Sequence, residues 1–221
     1  MSGLTTLLRS PDPRPAGERL LLVMLPGAGI ALEDFATHGL VAMAQASTPV
    51  VDVMAAKPDQ LLYLDGTVAP MLHQTILVPA REAGYRRIWL LGISLGGMGA
   101  LSCAAASLGE IEGLILIAPF IGTHGTIAEL TRACGFAAWR AQASTATLPE
   151  QRIISWLQAR LAGAPGPELW LGHARQDRFA TGHRLLAAAL PEHSSVLVEG
   201  QHDWAAWRAA FHGIMARNPF G

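Results

Sequence analysis

Hydrophobic residues form six short runs along the chain, each followed by an amphipathic stretch of helical length. The runs cover residues 19–25, 48–54, 86–93, 113–120, 168–173 and 194–200. This alternation is typical of successive β and α units. The runs are almost continuously apolar, as expected for strands that are covered on both faces. The pattern therefore predicts an α/β fold with a mostly parallel central sheet of about six strands, flanked by helices on both faces.

One connection is longer than the others. About 48 residues, 121–168, separate the fourth and fifth runs, which is more than an ordinary connection between two elements needs. Helical patterns lie at roughly 125–135 and 148–162, and Thr147 and Glu150 have the spacing of a capping box. We expect a small helical insertion that acts as a lid over a site. A plain crossover helix with an irregular loop is the alternative.

Composition narrows the class of protein. The chain has 221 residues, 51% hydrophobic and 15% charged, which suits one compact domain over residues 1–221. A net charge of -1 gives no electrostatic reason to expect nucleic acid or an anionic membrane as a partner. No run approaches the roughly 18 apolar residues of a membrane span, and the N-terminus lacks a signal-peptide pattern. Cys103 and Cys134 form no disulfide framework, so we expect a soluble cytoplasmic protein.

The candidate chemistry begins with "LLGISLGGMGAL", residues 90–101, where Ser94 stands in a G-x-S-x-G pattern. A chain of this composition would contain that pattern about 0.1 times by chance, so the pattern alone is compatible with a glycine-rich turn. Its context favours a nucleophile, because a predicted strand ends just before Ser94 and a predicted helix follows it. A strand, a one-residue turn and a helix project a serine hydroxyl from the edge of a sheet. Ser94 is therefore a candidate nucleophile.

A serine nucleophile needs an imidazole base and a carboxylate that orients it. His202 stands on the loop after the last run, at the same predicted sheet edge as Ser94, whereas His173 is interpreted as a supporting or structural residue. Asp177, on the loop after the fifth run, is the candidate acid. Asp203 cannot easily orient the ring of its own neighbour and is predicted to cap the last helix. Four aspartates before the serine are interpreted as cap or turn residues: Asp34, Asp52, Asp59 and Asp65.

The order Ser94, Asp177, His202, on successive loops after parallel strands, resembles the α/β-hydrolase superfamily over nearly the whole chain. "LLGISLGGMGAL" resembles its nucleophile elbow, "LGHARQD" its acid loop, "VEGQHDWAAW" its histidine loop and "VMLPGAGI" its oxyanion loop. The resemblance implies an oxyanion hole formed by the backbone N–H groups of Ala28 and Leu95, although relatives often have histidine where this chain has proline. Only about 18 residues precede the first run. The two antiparallel strands usual at the start of the family's sheet are therefore expected to be shortened or absent, giving a compact variant.

A Ser-His-Asp triad transfers an acyl group to water through an acyl-enzyme and requires neither a metal nor a cofactor. The sequence contains no metal-ligand spacing such as H-E-x-x-H or paired C-x-x-C. Large apolar side chains and little unpaired charge between residues 120 and 168 favour a small, uncharged acyl group. A carboxylesterase acting on a small-molecule ester is the first hypothesis. A thioesterase, or an esterase for acyl chains on CoA or a carrier protein, is the nearest alternative. Peptidases and C–C bond hydrolases of the superfamily share the triad, and a non-catalytic binding protein shares the fold.

Overall fold

A computed structural model describes residues 5–9, 15–47, 51–106, 109–140 and 148–221. Its sheet has seven strands in the spatial order β1-β3-β2-β4-β5-β6-β7. The strands are β1 (Thr5–Arg9), β2 (Leu20–Leu25), β3 (Val51–Lys57), β4 (Arg87–Ile93), β5 (Gly113–Ile117), β6 (Glu168–Ala174) and β7 (Ser195–Val198). Strands β2 to β7 are parallel. The predicted parallel sheet is confirmed.

The antiparallel part at the start of the sheet is shortened, as expected. One short antiparallel strand is present, because β1 pairs with β3, with Leu7 opposite Ala55. Strand β3 also extends further along the chain than the predicted run 48–54, to Lys57, and residues 48–50 of that run lie outside the described residues. The strand continues through Ala55, Ala56 and Lys57. Alanine and lysine are less common in strands, so the sequence pattern did not indicate that the strand extends to Lys57.

The helices cover both faces of this sheet. They are α1 (Asp34–Thr37), α2 (Leu40–Ser47), α3 (Leu61–Leu64), α4 (Val68–Leu72), α5 (Val78–Glu82), α6 (Leu95–Ala106), α7 (His124–Arg132), α8 (Pro149–Leu161), α9 (Ala180–Ala187) and α10 (Trp204–Met215). A π-helical turn, His73–Leu77, joins α4 to α5, where Pro79 lacks the N–H that would continue a regular helix. Gly39, at φ 79°, separates α1 from α2.

Alternate residues of the central strands enter two separate hydrophobic cores. In β2, Leu21 and Val23 pack in the core shared with α4, α6 and α8, whereas Leu22 and Met24 pack in the core shared with α2 and α10. Both sets are fully buried. This explains why the strands are apolar at every position and confirms helices on both faces.

The helical insertion between β5 and β6 is also present, and its two helices differ in their surroundings. Helix α8 buries Ile153, Ile154 and Leu157 in the same core as α6, as a crossover helix does. It ends before Gly163, whose φ of 100° a helix cannot continue through. Residues 119–124, before and at the start of α7, instead border a cavity at the carboxyl edge of the sheet. Thr147, predicted as a partner of Glu150, lies outside the described residues.

Of the four aspartates interpreted as cap or turn residues, one has a role that the sequence did not indicate. Asp52 is fully buried in β3, where its carboxylate lies 2.5 Å from Arg19 and accepts a hydrogen bond from Tyr85. It is therefore part of the packed core at the amino end of the parallel strands rather than a turn residue. The other three accept backbone N–H groups in local turns, as predicted: Asp34, Asp59 and Asp65.

No helix within the described ranges is both long and apolar enough to cross a membrane.

Candidate active site

Ser94 occupies the sharp turn between the end of β4 and the start of α6. Its φ of 53° lies in the left-handed region, a conformation that costs a serine about 1–3 kcal/mol and persists only where neighbouring structure holds it. The Ser94 N–H donates to the Ile117 carbonyl at 3.0 Å, and the Ser94 carbonyl accepts from the Phe120 N–H at 2.8 Å. The chain after β5 therefore holds the turn from both sides, with the serine side chain at the carboxyl edge of the sheet.

The glycines around the serine are required by packing. A Cβ on Gly92 would lie 2.3 Å from the Gly96 carbonyl oxygen, and a Cβ on Gly96 would lie 2.0 Å from the Leu25 carbonyl oxygen. Both obstacles are backbone atoms, which cannot move to another rotamer as a side chain can. A larger residue at Gly96 would therefore separate the turn from β2. The spacing of the G-x-S-x-G pattern thus has a steric cause at this site.

His202 lies between Ser94 and Asp177. The Ser94 hydroxyl is 2.9 Å from His202 Nε2, and His202 Nδ1 is 2.7 Å from Asp177 Oδ2. Since an ionised carboxylate can only accept, Nδ1 carries the proton that it donates to Asp177, and Nε2 is free to accept from the hydroxyl. The structure therefore brings together the three residues predicted from separate loops, in a continuous hydrogen-bond chain.

Asp177 is a buried carboxylate that keeps its charge. Its side chain is fully buried, and burial alone would raise the pKa of the carboxyl. Hydrogen bonds from His202 and from the Phe179 N–H, at 2.8 Å to Oδ1, outweigh burial and hold the pKa below its usual value. An ionised Asp177 can stabilise a positive charge on the adjacent imidazole.

Two aromatic rings fix the plane of the imidazole. The Phe179 ring centroid lies 5.1 Å from that of His202, and the Trp207 centroid lies 5.0 Å away, both nearly perpendicular to it. Only 10% of the His202 side chain is exposed. Asp203 caps α10 through a 3.0 Å hydrogen bond from the Ala206 N–H, as predicted, so it does not compete for the ring.

The predicted oxyanion loop lies against the serine. A turn closes with the Ile30 N–H donating to the Gly27 carbonyl at 3.2 Å, with Gly29 at φ 76°. A Cβ on Gly27 would lie 3.1 Å from Ser94 Cβ, so the loop packs directly on the nucleophile. Ala28 is exposed at the tip of this turn. Leu95 begins α6, where a backbone N–H has no acceptor within the helix. Neither of these two N–H groups donates to another described residue.

Two further histidines lie behind the site. His173, near the end of β6, is 4% exposed, and its ring centroid is 5.8 Å from that of His183. His183 is fully buried and donates from Nε2 to the Pro119 carbonyl at 2.9 Å. Burial lowers the pKa of both, that of His183 to about 4, so both rings are neutral at neutral pH. His173 thus occupies the supporting position predicted for it.

His183 is not among the residues identified from the sequence. Its contact orders the segment that follows β5, since Pro119 precedes the residue that binds the Ser94 carbonyl. A signal was present in the helical spacing. His183 lies three residues after Ala180 and three before Leu186, and both of these are buried on α9, which places the imidazole on an apolar face.

A cavity of about 410 Å³ adjoins the hydrogen-bond chain. Its walls come from residues 119–124, 178–179 and 181–183, together with Ile127 of α7. Phe120 and Phe179, whose ring centroids are 5.5 Å apart, form the wall nearest the serine and the imidazole. Within the described part of the chain, no cluster of three or more histidine, cysteine or carboxylate residues could hold a metal ion.

Comparison with known proteins gives matches in structure and none in sequence. No protein-family model matches the chain, and no curated sequence matches it. Est1E from Butyrivibrio proteoclasticus is similar with a TM-score of 0.63 at 15% identity, over 97% of this chain and 94% of Est1E. An S-formylglutathione hydrolase from Agrobacterium tumefaciens has a TM-score of 0.62 at 17% identity, over 100% of this chain and 91% of that enzyme.

A third similar structure is an S-formylglutathione hydrolase from Staphylococcus aureus, with a TM-score of 0.61 at 12% identity, over 97% of this chain and 96% of that enzyme. The coverage of both chains is nearly complete in all three cases. At these identities the similarity establishes a shared fold.

Proposed function

From the α/β-hydrolase fold of this chain and the hydrogen-bond chain at its sheet edge, we propose that the protein is a serine hydrolase that cleaves carboxylic esters. The observation that carries the proposal is the chain from Ser94 Oγ through His202 to Asp177, with distances of 2.9 and 2.7 Å. A serine hydroxyl is a weak nucleophile until a base removes its proton, and this geometry supplies the base and its orienting carboxylate.

In the acylation step, Ser94 Oγ attacks the ester carbonyl carbon while its proton moves to His202 Nε2. The tetrahedral intermediate collapses when the bond to the alcohol oxygen breaks, and that oxygen takes the proton from Nε2. Water then attacks the acyl-enzyme in the same way, releasing the carboxylic acid and restoring the Ser94 hydroxyl. In both steps the buried Asp177 carboxylate balances the charge of the imidazolium.

We assign the stabilisation of the oxyanion to the backbone N–H groups of Ala28 and Leu95. Support comes from the contact of the 27–30 turn with Ser94 and from the absence of other acceptors for these two groups among the described residues. Negative charge develops on the carbonyl oxygen only in the transition state, so each such donor contributes about 100-fold or more to the rate. The N-terminus of α6 adds its dipole at the same point.

The substrate of this proposal is an ester with a small acyl group. The cavity walls include the apolar side chains of Phe120, Ile121, Ile127 and Phe179, which supports an uncharged chain where the substrate lies against them. The same triad would cleave a thioester, so hydrolysis of butyryl-CoA is compared with that of 4-nitrophenyl butyrate. A higher kcat/KM for butyryl-CoA would move the assignment to a thioesterase.

The test of the proposal is hydrolysis of 4-nitrophenyl acetate and butyrate by the wild type and by Ser94→Ala. Removing a triad nucleophile typically lowers kcat by about 10⁶-fold, so we expect no activity above background. Ser102→Ala, in the same helix α6 and partly exposed, is the matched control and keeps wild-type activity. Retained activity in Ser94→Ala would show that the nucleophile is wrongly assigned, and an inactive wild type would favour a non-catalytic binding protein.

The same proposal extends to cellular location and to the insertion. Cys103 and Cys134 are not joined in a disulfide, which supports a reducing compartment such as the cytoplasm. Residues 120–124 and Ile127 border the cavity. This position supports a lid role for this part of the insertion, within a single domain that covers the chain.

A further inference from the structure

Two aromatic residues that line the cavity, Phe120 and Phe179, also contact the hydrogen-bond chain. Phe120 follows the residue held by His183, and its N–H binds the Ser94 carbonyl. Phe179 contacts the His202 ring from the other side. A substrate whose carbonyl carbon lies at Ser94 can therefore place its remaining atoms against these two rings and in the cavity.

One cationic side chain stands on the wall of this cavity. The Arg178 guanidinium lies 4.9 Å from the centroid of the Phe179 ring, where it stacks on the aromatic face. The side chain is exposed, and it pairs with no carboxylate among the described residues. No aspartate or glutamate is among the described residues that line the cavity. The wall therefore has an unneutralised positive charge.

Two carboxylates belong to or bind residues next to this wall, and both are already engaged. Asp177, which precedes Arg178, is fully buried and accepts from His202 and from a backbone N–H. Glu150 accepts hydrogen bonds from the hydroxyls of Thr123 and Thr126 at the start of α7. The first turn of α9, which includes three cavity residues, presents the positive end of its dipole to the same space.

We propose that the substrate carries a carboxylate at the end away from the scissile bond and that Arg178 binds it. This inference rests on the proposed esterase function. A planar guanidinium matches a carboxylate in two parallel hydrogen bonds, and one guanidinium balances one negative charge. The apolar part of the substrate lies on the Phe120 and Phe179 rings, between the carboxylate and the ester. The carboxylate can belong to the acyl part or to the alcohol part, and two pairs of esters distinguish these sources.

The first pair places the charge in the acyl part: mono-4-nitrophenyl glutarate against 4-nitrophenyl pentanoate. The second places it in the alcohol part: 4-acetoxybenzoate against its methyl ester. For each pair we measure the ratio of kcat/KM for the anionic ester to that for the neutral ester. We compare wild type, Arg178→Gln, Arg178→Lys and the control Arg175→Gln. Arg175 is an exposed arginine of the same loop that pairs with Glu199 at 2.7 Å and lies outside the cavity wall.

We expect the ratio to fall about tenfold in Arg178→Gln for one of the two pairs, since a charge-assisted hydrogen bond is lost, and less in Arg178→Lys. Arg175→Gln should keep the wild-type ratio. The wild-type ratio should also fall as salt is raised from 10 to 150 mM, a dependence that Arg178→Gln lacks. The salt dependence of the wild-type ratio can be measured without any variant, so it tests the proposal even if Arg178→Gln fails to fold.

Two results would overturn the inference and leave the esterase proposal intact. These are a ratio that is equal in wild type and Arg178→Gln for both pairs, or an equal fall in Arg178→Gln and Arg175→Gln. If the wild type hydrolyses none of the four esters and a fluorophosphonate leaves Ser94 unlabelled, the proposed function fails, and the inference fails with it.

Discussion

Gly96→Ala tests the close contact between the serine turn and β2. The added Cβ would lie 2.0 Å from the Leu25 carbonyl oxygen and 2.8 Å from the Pro26 carbonyl oxygen. Both obstacles are backbone, so the start of α6 and the end of β2 must separate by about 1 Å, a displacement that can lower a rate about 100-fold when it moves reacting groups apart. Here it moves Ser94, two residues before the substitution, away from the loop that contains Ala28. The overpacking itself costs about 1–3 kcal/mol or more.

Gly99→Ala is the matched control, because Gly99 lies three residues later in the same helix. Its added Cβ would lie 3.0 Å from Tyr63 Cε1, and a side-chain ring can yield by a few tenths of an ångström. Alanine also favours the helix by up to about 1 kcal/mol over glycine. We expect Gly99→Ala to keep wild-type stability and activity within a factor of a few.

The assay is thermal unfolding followed by circular dichroism, with kcat/KM for 4-nitrophenyl butyrate measured on the folded fraction. Each kcal/mol lost in Gly96→Ala should lower Tm by about 2–4 °C in a chain of this size, and kcat/KM should fall about 100-fold. A Gly96→Ala variant with wild-type Tm and activity would refute the steric explanation of the motif. Equal losses of Tm and of kcat/KM in both variants would show that α6 tolerates no added methyl group at either position. Gly96 would then have no special role at the serine turn.

Three further predictions concern the acid and the buried histidine. Asp177→Asn should lower kcat by about 10⁴-fold, because the amide holds the imidazole in the wrong tautomer; a kcat within tenfold of wild type would contradict the orienting role. His183→Leu leaves the buried Pro119 carbonyl without its donor and should lose about 1–3 kcal/mol of stability, with a lower kcat at unchanged KM. His183→Gln, whose amide can donate to that carbonyl, should recover kcat, and equal deficits in both variants would exclude a positioning role. The pKa of His183 falls from 6.5 to about 4 on folding, so the unfolded chain binds more protons between these values. The free energy of unfolding from urea titrations should therefore decrease as pH falls from 6.5 towards 4, less steeply in His183→Gln, and an equal slope in that variant would contradict the burial argument.

The sheet and the order of the three candidate residues could be predicted because both depend on local pattern. Strands buried on two faces must be apolar at nearly every position, so each parallel strand left a run in the sequence. Loops that follow parallel strands meet at one edge of the sheet. Ser94, Asp177 and His202 could therefore be placed together without knowledge of any contact between them.

Other features depend on contacts between distant segments and left weaker signals. Strand β1 pairs with β3 at the edge of the sheet, and its five residues carry no long apolar run. Asp52 resembles a turn residue until the ion pair with Arg19 is seen. The charge on the cavity wall comes from Arg178, in the loop after β6, so the composition of residues 120–168 carries no signal of it.

The most direct test of the proposed mechanism is covalent labelling of the folded protein with a fluorophosphonate, followed by intact-mass and peptide analysis. The phosphonate reports on nucleophilicity without any assumption about the substrate. One adduct per chain on Ser94, absent in Ser94→Ala and strongly slowed in His202→Ala, is the expected result. An unlabelled wild type, or an adduct on another residue that persists in Ser94→Ala, would contradict the assignment of Ser94 as the nucleophile.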